Sequence, residues 1–275
     1  MIESDLYLDL LKKCLTYWIW GETHYPLGGL HHAPSKIYRY CGIRYLERFF
    51  ALFGVKIVRE QAMDPEQRRE GRDWPIMAHT MIGLKRLDNL QFCIETVLRE
   101  GIPGDLIETG VWRGGASIFM RGVLKVHGIA DRTVWIADSF QGLPPSDAEN
   151  YSVDAGKDWS RFDYLRVSLD QVKENFRRYD LWDDQVKPLV GWFKDTLPTA
   201  PIERLAVARL DGDMYESTKD ALRALYPKLS PGGFLIVDDY AIHVCRRAVD
   251  DFRSEHGISA QIHQVDWSGV YWRKE

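Results

Sequence analysis

From Pro103 onward the chain alternates strictly between short apolar runs and helical patterns, and that alternation restricts its fold more than any other feature. The runs at 105–109, 133–137, 186–190, 205–210 and 233–237 have strand length and are bounded by turn residues. Helical spacing fills the gaps at 114–126, 164–179, 192–197 and 216–229, and a further helix is predicted at 246–256. Strands separated by helices pair in parallel, with helices covering both faces. Two short runs finish the chain, 259–264 and 269–272, and Asp266-Trp-Ser268 between them suits a hairpin. The expected fold class is therefore α/β, a Rossmann-like seven-stranded, mostly parallel sheet with an antiparallel edge strand.

The chain before Pro103 reads differently. Apolar spacing predicts helices over 3–20 and 37–53. Between them, 21–35 is rich in Gly, His and Pro and reads as a loop, with His31 and His32 as ordinary loop histidines. Residues 59–74 are the most polar stretch and have the composition of a mobile loop. Trp74-Pro75 and His79-Thr80-Met81 follow directly, so the stretch is either a lid over a substrate or a solvated connection. A helix over 83–100 ends at Gly101. The expected division is 1–58 as an N-terminal helical segment, 59–82 as a lid, and 83–275 as the ligand-binding domain.

A net charge of -4 with scattered basic residues argues against a nucleic-acid partner; Arg68-Arg69 and Arg246-Arg247 read as solvated pairs. No run reaches the length of a membrane span, and the acidic Met1-Ile-Glu-Ser-Asp5 is unlike a signal or transit peptide, so a cytoplasmic location is expected. Cys14, Cys41, Cys93 and Cys245 form no Cys-x-x-Cys pair and read as core residues of a reducing compartment.

Ligands of open α/β sheets sit at the carboxyl ends of the strands. The first such turn is Glu108-Thr-Gly-Val-Trp-Arg-Gly-Gly-Ala-Ser117, which offers Thr109, Gly110, Arg113, Gly115 and Ser117 to a cofactor. It lacks Gly-x-Gly-x-x-Gly, and Glu108 would repel a pyrophosphate. S-adenosylmethionine has no phosphate, its cationic groups suit a carboxylate, and the helix N-terminus can hold its own carboxylate. Asp138, followed by Ser139 and Phe140, ends the second strand and can accept from ribose hydroxyls. Phe140 packs either on adenine or in the core. Gly191 and Trp192 follow the third strand and can line an adenine pocket.

The fourth strand ends in Arg209-Leu-Asp-Gly-Asp-Met-Tyr-Glu-Ser-Thr218 and the fifth in Asp238-Asp239. If the two strands are neighbours, Asp211, Asp238 and Asp239 converge, and three close carboxylates call for a cation. Oxygen ligands suit Mg2+, and zinc is disfavoured without Cys or paired His. Such a cation stabilises an alkoxide as it forms. Asp213 and Glu216 match a capping box, so Asp213 is expected to cap the helix. Asp211 is the expected base, with His79 or His243 in reserve.

Several words of this sequence resemble the macrocin O-methyltransferase family, class I enzymes that modify deoxysugars on macrolide and aminocoumarin antibiotics. They are Arg69-Glu-Gly-Arg-Asp-Trp-Pro75, Ala78-His-Thr-Met81, Leu106-Ile-Glu-Thr-Gly-Val-Trp-Arg-Gly-Gly115, Ala137-Asp-Ser-Phe-Gln-Gly-Leu-Pro144, Leu210-Asp-Gly-Asp-Met-Tyr-Glu-Ser-Thr218 and Pro231-Gly-Gly-Phe-Leu-Ile-Val-Asp-Asp-Tyr240. The resemblance implies the class I methyltransferase fold and Mg2+- and S-adenosylmethionine-dependent methyl transfer to a sugar hydroxyl of a glycosylated small molecule. It implies metal ligands at Asp211, Asp238 and Asp239, and a lid near residues 69–81. It also implies a homo-oligomer, often a dimer, with contacts from the N-terminal segment. An NAD-type oxidoreductase and a non-catalytic cofactor sensor are the competing readings. The absent Gly-x-Gly-x-x-Gly weighs against the first and the acid cluster against the second.

Overall fold

The central apolar runs after Pro103 bury themselves between two layers of helices, while the run at 186–190 is only partly covered. The computed structural model describes residues 2–26, 43–145, 151–154, 159–160 and 162–275. In chain order the elements are α1 (Ile2–Leu15), β1 (Glu22–Pro26), α2 (Ile43–Ala51), β2 (Val58–Ala62), α3 (Pro65–Arg69) and α4 (Leu84–Arg99). Then follow β3 (Asp105–Thr109), α5 (Gly115–Val126), β4 (Val134–Asp138), α6 (Leu169–Arg177), β5 (Val186–Val190) and α7 (Phe193–Thr196). The chain closes with β6 (Leu205–Leu210), α8 (Tyr215–Leu225), β7 (Leu229–Val237), α9 (His243–Glu255), β8 (His263–Gln264) and β9 (Val270–Arg273).

The large sheet has seven strands in the order β5-β4-β3-β6-β7-β9-β8. Five are parallel, and β9 pairs antiparallel with both β7 and β8, as the terminal hairpin pattern predicts. Successive residues face opposite layers. Leu106, Ile136 and Phe234 join a core with helices α1, α4, α5 and α6, while Ile107, Ala208 and Leu235 join one with α8 and α9. The fold agrees with the α/β expectation.

The N-terminal region departs from it in detail. Glu22–Pro26 was expected as loop but pairs antiparallel with Val58–Ala62; its partner lies beyond α2, where local composition carries no trace of it. The polar stretch after Arg59 likewise holds a strand and a helix. Asp64 starts α3 by accepting from the amides of Glu66 and Gln67 at 2.9 and 3.2 Å, with Pro65 next in line. Arg68 is 1% exposed, bonds Asp73 at 2.6 Å, and donates to the carbonyls of Thr16 and Tyr17. The segment is therefore pinned to the end of α1. Helix α1 itself belongs to the main core through Leu8, Leu11 and Leu15. The expected helix at 164–179 begins only at Leu169, because Ser168 caps it by accepting from the Gln171 amide. His31, His32 and Cys41 lie outside the described residues. Cys14, Cys93 and Cys245 are free thiols, the last two buried.

His79 helps to close the fold. Its amide donates to Leu15, its carbonyl accepts from Gly115, and its ring Nδ1 lies 2.7 Å from the Tyr179 hydroxyl. Burial, with Arg178 and Arg113 adding to it, pulls its pKa down to about 4 from 6.5. Below its ordinary pKa the unfolded chain takes a proton that the folded chain refuses, so stability falls as pH drops from 6.5 towards 4. The expected size is on the order of 2 kcal/mol after allowance for solvent screening. Urea unfolding of wild type and His79→Gln between pH 7 and 4 measures it: the wild-type curve falls the more steeply, and parallel curves would remove this role.

Candidate active site

Sheet register brings the acids together. Glu108 on β3 is level with Arg209 on β6, and Leu210 is level with Val237 on β7. Past the strands, the Asp211 amide bonds to Thr109 and the Asp238 amide to Leu210. The backbones close tightly here: a Cβ on Gly110 (φ 83°) would lie 1.9 Å from the Asp211 carbonyl oxygen, so only glycine fits. Trp112, Phe140 and Asp213 also have positive φ, of 47°, 54° and 54°. Such backbone strain is held where surrounding structure over-determines it.

This edge floors a cavity of about 910 Å³. Glu108, Gly110, Asp138, Ser139 and Trp192 line one part of it. Asp211, Asp213, Asp238 and Asp239 line another, beneath an aromatic wall that includes Trp74, Trp159, Phe162, Tyr164 and Trp267.

Two buried arginines sort the acids. Arg209 meets Glu108 at 2.6 Å, Asp211 at 3.0 Å and Asp238 at 2.6 Å. Arg86 meets Asp238 at 2.5 Å and Asp266 at 2.7 Å. Burial works against the charged form of Asp238, but Arg209 and Arg86 outweigh it and hold the carboxyl below its usual range. Among the described residues, Asp213 and Asp239 have no such partner. Burial, then Asp211 and Asp238, push Asp213 up to about 8. Burial and the same neighbours with Asp213 raise Asp239 well above the carboxylate range, and Asp211 is also raised by burial and by Asp238. The acids that can offer oxygens to one point, within 4.8 Å of one another, are Asp211, Asp213 and Asp239.

This bears on two expectations. Asp238 was expected in the metal triad, yet its carboxylate is already engaged by Arg86 and Arg209. Asp213 was expected to cap α8, but Asp154 does so from a distant segment, accepting from the amides of Tyr215 and Glu216 at 2.9 and 3.1 Å. The Asp213 amide instead donates to Asp239. Asp213 therefore faces the cavity with Asp211 and Asp239.

The cofactor candidates also divide. Glu108 lines the cavity, but one oxygen accepts from Arg209 and the other from Ser117, so it is not the free partner for an ammonium that was expected. Burial pushes its pKa up to about 7, against the pull of Arg209 and Ser117. Asp138 accepts from the amides of Val111 and Phe140, both at 2.7 Å, which fixes the first turn. The Trp112 amide and the Ser139 hydroxyl approach its two oxygens more weakly, at 3.4 and 3.5 Å, and the group still lines the cavity. Ser139 and Trp192 line it as well.

Other candidates stand behind the wall. Phe140 belongs to the core, and Ser117 acts through Glu108. Arg113 stacks on Trp112 and donates to the carbonyls of Ile76 and Ala78, so it anchors residues 76–78 rather than a cofactor. Gly115 packs against His79 and Thr80, and Gly191 against Thr196. Thr109 is fully buried. His79 is tied to Tyr179, and neither it nor the exposed His243 lines the cavity, so the two reserve bases fall away.

Sequence reasoning missed the two arginines, Asp154 and much of the aromatic wall. Arg209 carried a usable signal, since it is a charge inside an apolar strand whose six residues are all buried. Arg86 and Asp154 carried none, because their partners lie far away in sequence.

Comparison with known proteins places the chain in a family. The sequence profile of the macrocin-O-methyltransferase (TylF) family matches residues 4–274. The chain is 54% identical over 270 residues to the 8-demethyl-8-(2,3-dimethoxy-alpha-L-rhamnosyl)-tetracenomycin-C 4'-O-methyltransferase of Streptomyces olivaceus, covering 98% of this chain and 92% of that protein. It is also 54% identical over 274 residues to the demethyldecarbamoylnovobiocin O-methyltransferase of Streptomyces niveus, covering 99% and 94%. The solved structure of the O-methyltransferase NovP superposes with a TM-score of 0.83 at 46% identity, over 98% of this chain and 99% of that one. The chain belongs to the macrocin O-methyltransferase family and has its class I methyltransferase fold.

Proposed function

We propose that this methyltransferase is a Mg2+-dependent enzyme that transfers a methyl group from S-adenosylmethionine to a sugar hydroxyl of a glycosylated natural product in antibiotic biosynthesis. The observation that carries this reading is the convergence of Asp211, Asp213 and Asp239 in the wall of a large aromatic cavity. The names of the two relatives, both methyltransferases of glycosylated antibiotics, support it.

Asp211 and Asp239 suit the cation, because Mg2+ takes one or two carboxylates and keeps other positions for water or substrate. When bound, it would offset charge developing on the acceptor oxygen. Asp213 is then left to receive the proton, in place of Asp211: it converges with the two ligands at the cavity wall and has no arginine partner among the described residues. Arg209 bonds Asp211 and fixes its carboxylate, while Asp138 and Trp192 hold the donor side. The chain's contribution is to align two reactants and receive one proton.

The charges in the cavity favour a neutral glycoside over a nucleotide sugar or NAD. Among the described residues lining it, the cationic ones are Arg86, Lys194 and Arg209, and each already faces a carboxylate. A pyrophosphate would find no uncommitted positive charge there and many acids. The aromatic wall suits an apolar aglycone.

Helix α2 exposes Tyr45 and Phe49, and just beyond it Phe53 is exposed and Leu52 is 81% exposed. We infer that a second copy covers this face. Sedimentation at micromolar concentration should show a dimer or larger species; a monomer would reject the inference. No described helix is long and apolar enough to cross a membrane.

The functional reading is tested with labelled S-adenosylmethionine and the two glycosides named for the relatives. EDTA should abolish transfer and added Mg2+ should restore it. Asp213→Asn should lower kcat by roughly 10²–10⁴-fold, while S-adenosylhomocysteine still raises the Tm by several degrees and NAD does not. Transfer that survives EDTA would refute the metal, and a near-normal Asp213→Asn rate would refute the base.

A further inference from the structure

The turn between β8 and β9 does more than close a hairpin. Residues Val265 to Gly269 are fixed from within by Asp266, whose Oδ1 accepts from the amides of Ser268 and Gly269 at 2.9 and 2.7 Å. They are fixed from outside by Arg86, which bonds Asp266 and Asp238 together, and by Ser268, whose hydroxyl donates to the Asp238 carbonyl at 2.8 Å. The turn is thus held to the end of β7, beside the acid cluster.

Its central residue, Trp267, reaches away from that anchor. The indole lines the cavity and is 37% exposed. Its Nε1–H donates to the Glu70 carbonyl at 2.9 Å, and the Arg72 guanidinium lies 5.0 Å from its ring centre. Arg72 also pairs with Glu70 at 2.8 Å, and Lys85 holds Glu70 at 2.7 Å. Trp74 lines the same cavity from this segment, and its Nε1–H donates to the Gly71 carbonyl. So one rigid turn touches the acid cluster through Arg86 and residues 70–72 through Trp267.

We propose that Trp267 is a positioning residue that clamps residues 66–76 against the acid side of the cavity and so sets the space left for the acceptor between Trp74 and the acids. The indole donates one hydrogen bond to the Glu70 carbonyl and meets two guanidiniums, Arg72 at 5.0 Å from its ring centre and Arg86 of the anchor at 5.5 Å. A guanidinium over an indole and an indole N–H bond to a carbonyl each add a modest stabilisation. Together they give a second anchor, on the acid side of the cavity, to a segment that Arg68 already pins to the end of α1. The proposal rests on the reading that the acceptor occupies this part of the cavity.

Two variants test the clamp in protein saturated with S-adenosylhomocysteine. Trp267→Phe keeps a ring and removes the N–H. Arg72→Gln changes a half-exposed side chain and keeps the turn, so it remains informative if the first variant folds poorly. Hydrogen exchange at 66–76 should quicken by about two- to tenfold in each, with the affinity for S-adenosylhomocysteine unchanged. With either glycoside that is turned over, KM for that glycoside should rise by a similar factor while kcat holds within about twofold. Unchanged exchange at 66–76 in both variants would overturn the clamp. So would a loss of S-adenosylhomocysteine affinity equal to the change in exchange, which would place Trp267 on the donor side. If neither glycoside is methylated, the functional reading fails and the exchange result still decides the clamp.

Discussion

A guanidinium buried between three carboxylates is the interaction on which this site depends. Arg209 is 2% exposed and reaches Glu108, Asp211 and Asp238, which come from three adjacent strand ends. Burying one charge without partners is prohibitive, and burying several acids side by side is worse. The arginine makes their company tolerable, and sheet register supplies it: Arg209 stands level with Glu108, one strand over. With Arg86 on the far side of Asp238, the network ties β3, β6, β7 and the β8–β9 turn into one frame.

That frame gives similar residues different characters. Asp238 and Asp239 are neighbours in sequence, yet the arginines hold one below the usual carboxylate range while the other is raised far above it. Asp211 is bonded on one side by Arg209 and remains within reach of Asp213 and Asp239. Composition alone makes these four acids look alike. Their partners separate those that carry the frame from those left to bind or to accept a proton.

How much was legible in the sequence follows the range of the interactions involved. The sheet was legible because each strand is a local run; β3, β5 and β6 start and end where periodicity places them. The acid edge was legible because strand ends in such a sheet share one side. What escaped was long-range. The β1–β2 pair, the cap that Asp154 gives α8, and the bond from Trp267 to Glu70 all join segments far apart in the chain. Asp213 is instructive: the spacing to Glu216 fits a capping box, but Asp154 holds those amides, and Asp213 turns into the cavity with a positive φ. His79 misled for the opposite reason, since a histidine beside a polar stretch looks chemical, and its ring is spent on Tyr179.

The claim that Arg209 balances a cluster of otherwise unsupportable charges is open to one direct measurement, urea unfolding of Arg209→Met alone and combined with Glu108→Gln. Removing one partner of a buried charge network costs about 3–5 kcal/mol, because acids are left without compensation. The account predicts that loss for Arg209→Met, with part of it recovered in the double variant, where one orphaned acid has been removed. A single variant within about 1 kcal/mol of wild type, or a double variant whose loss is the plain sum of the two single changes, would contradict it.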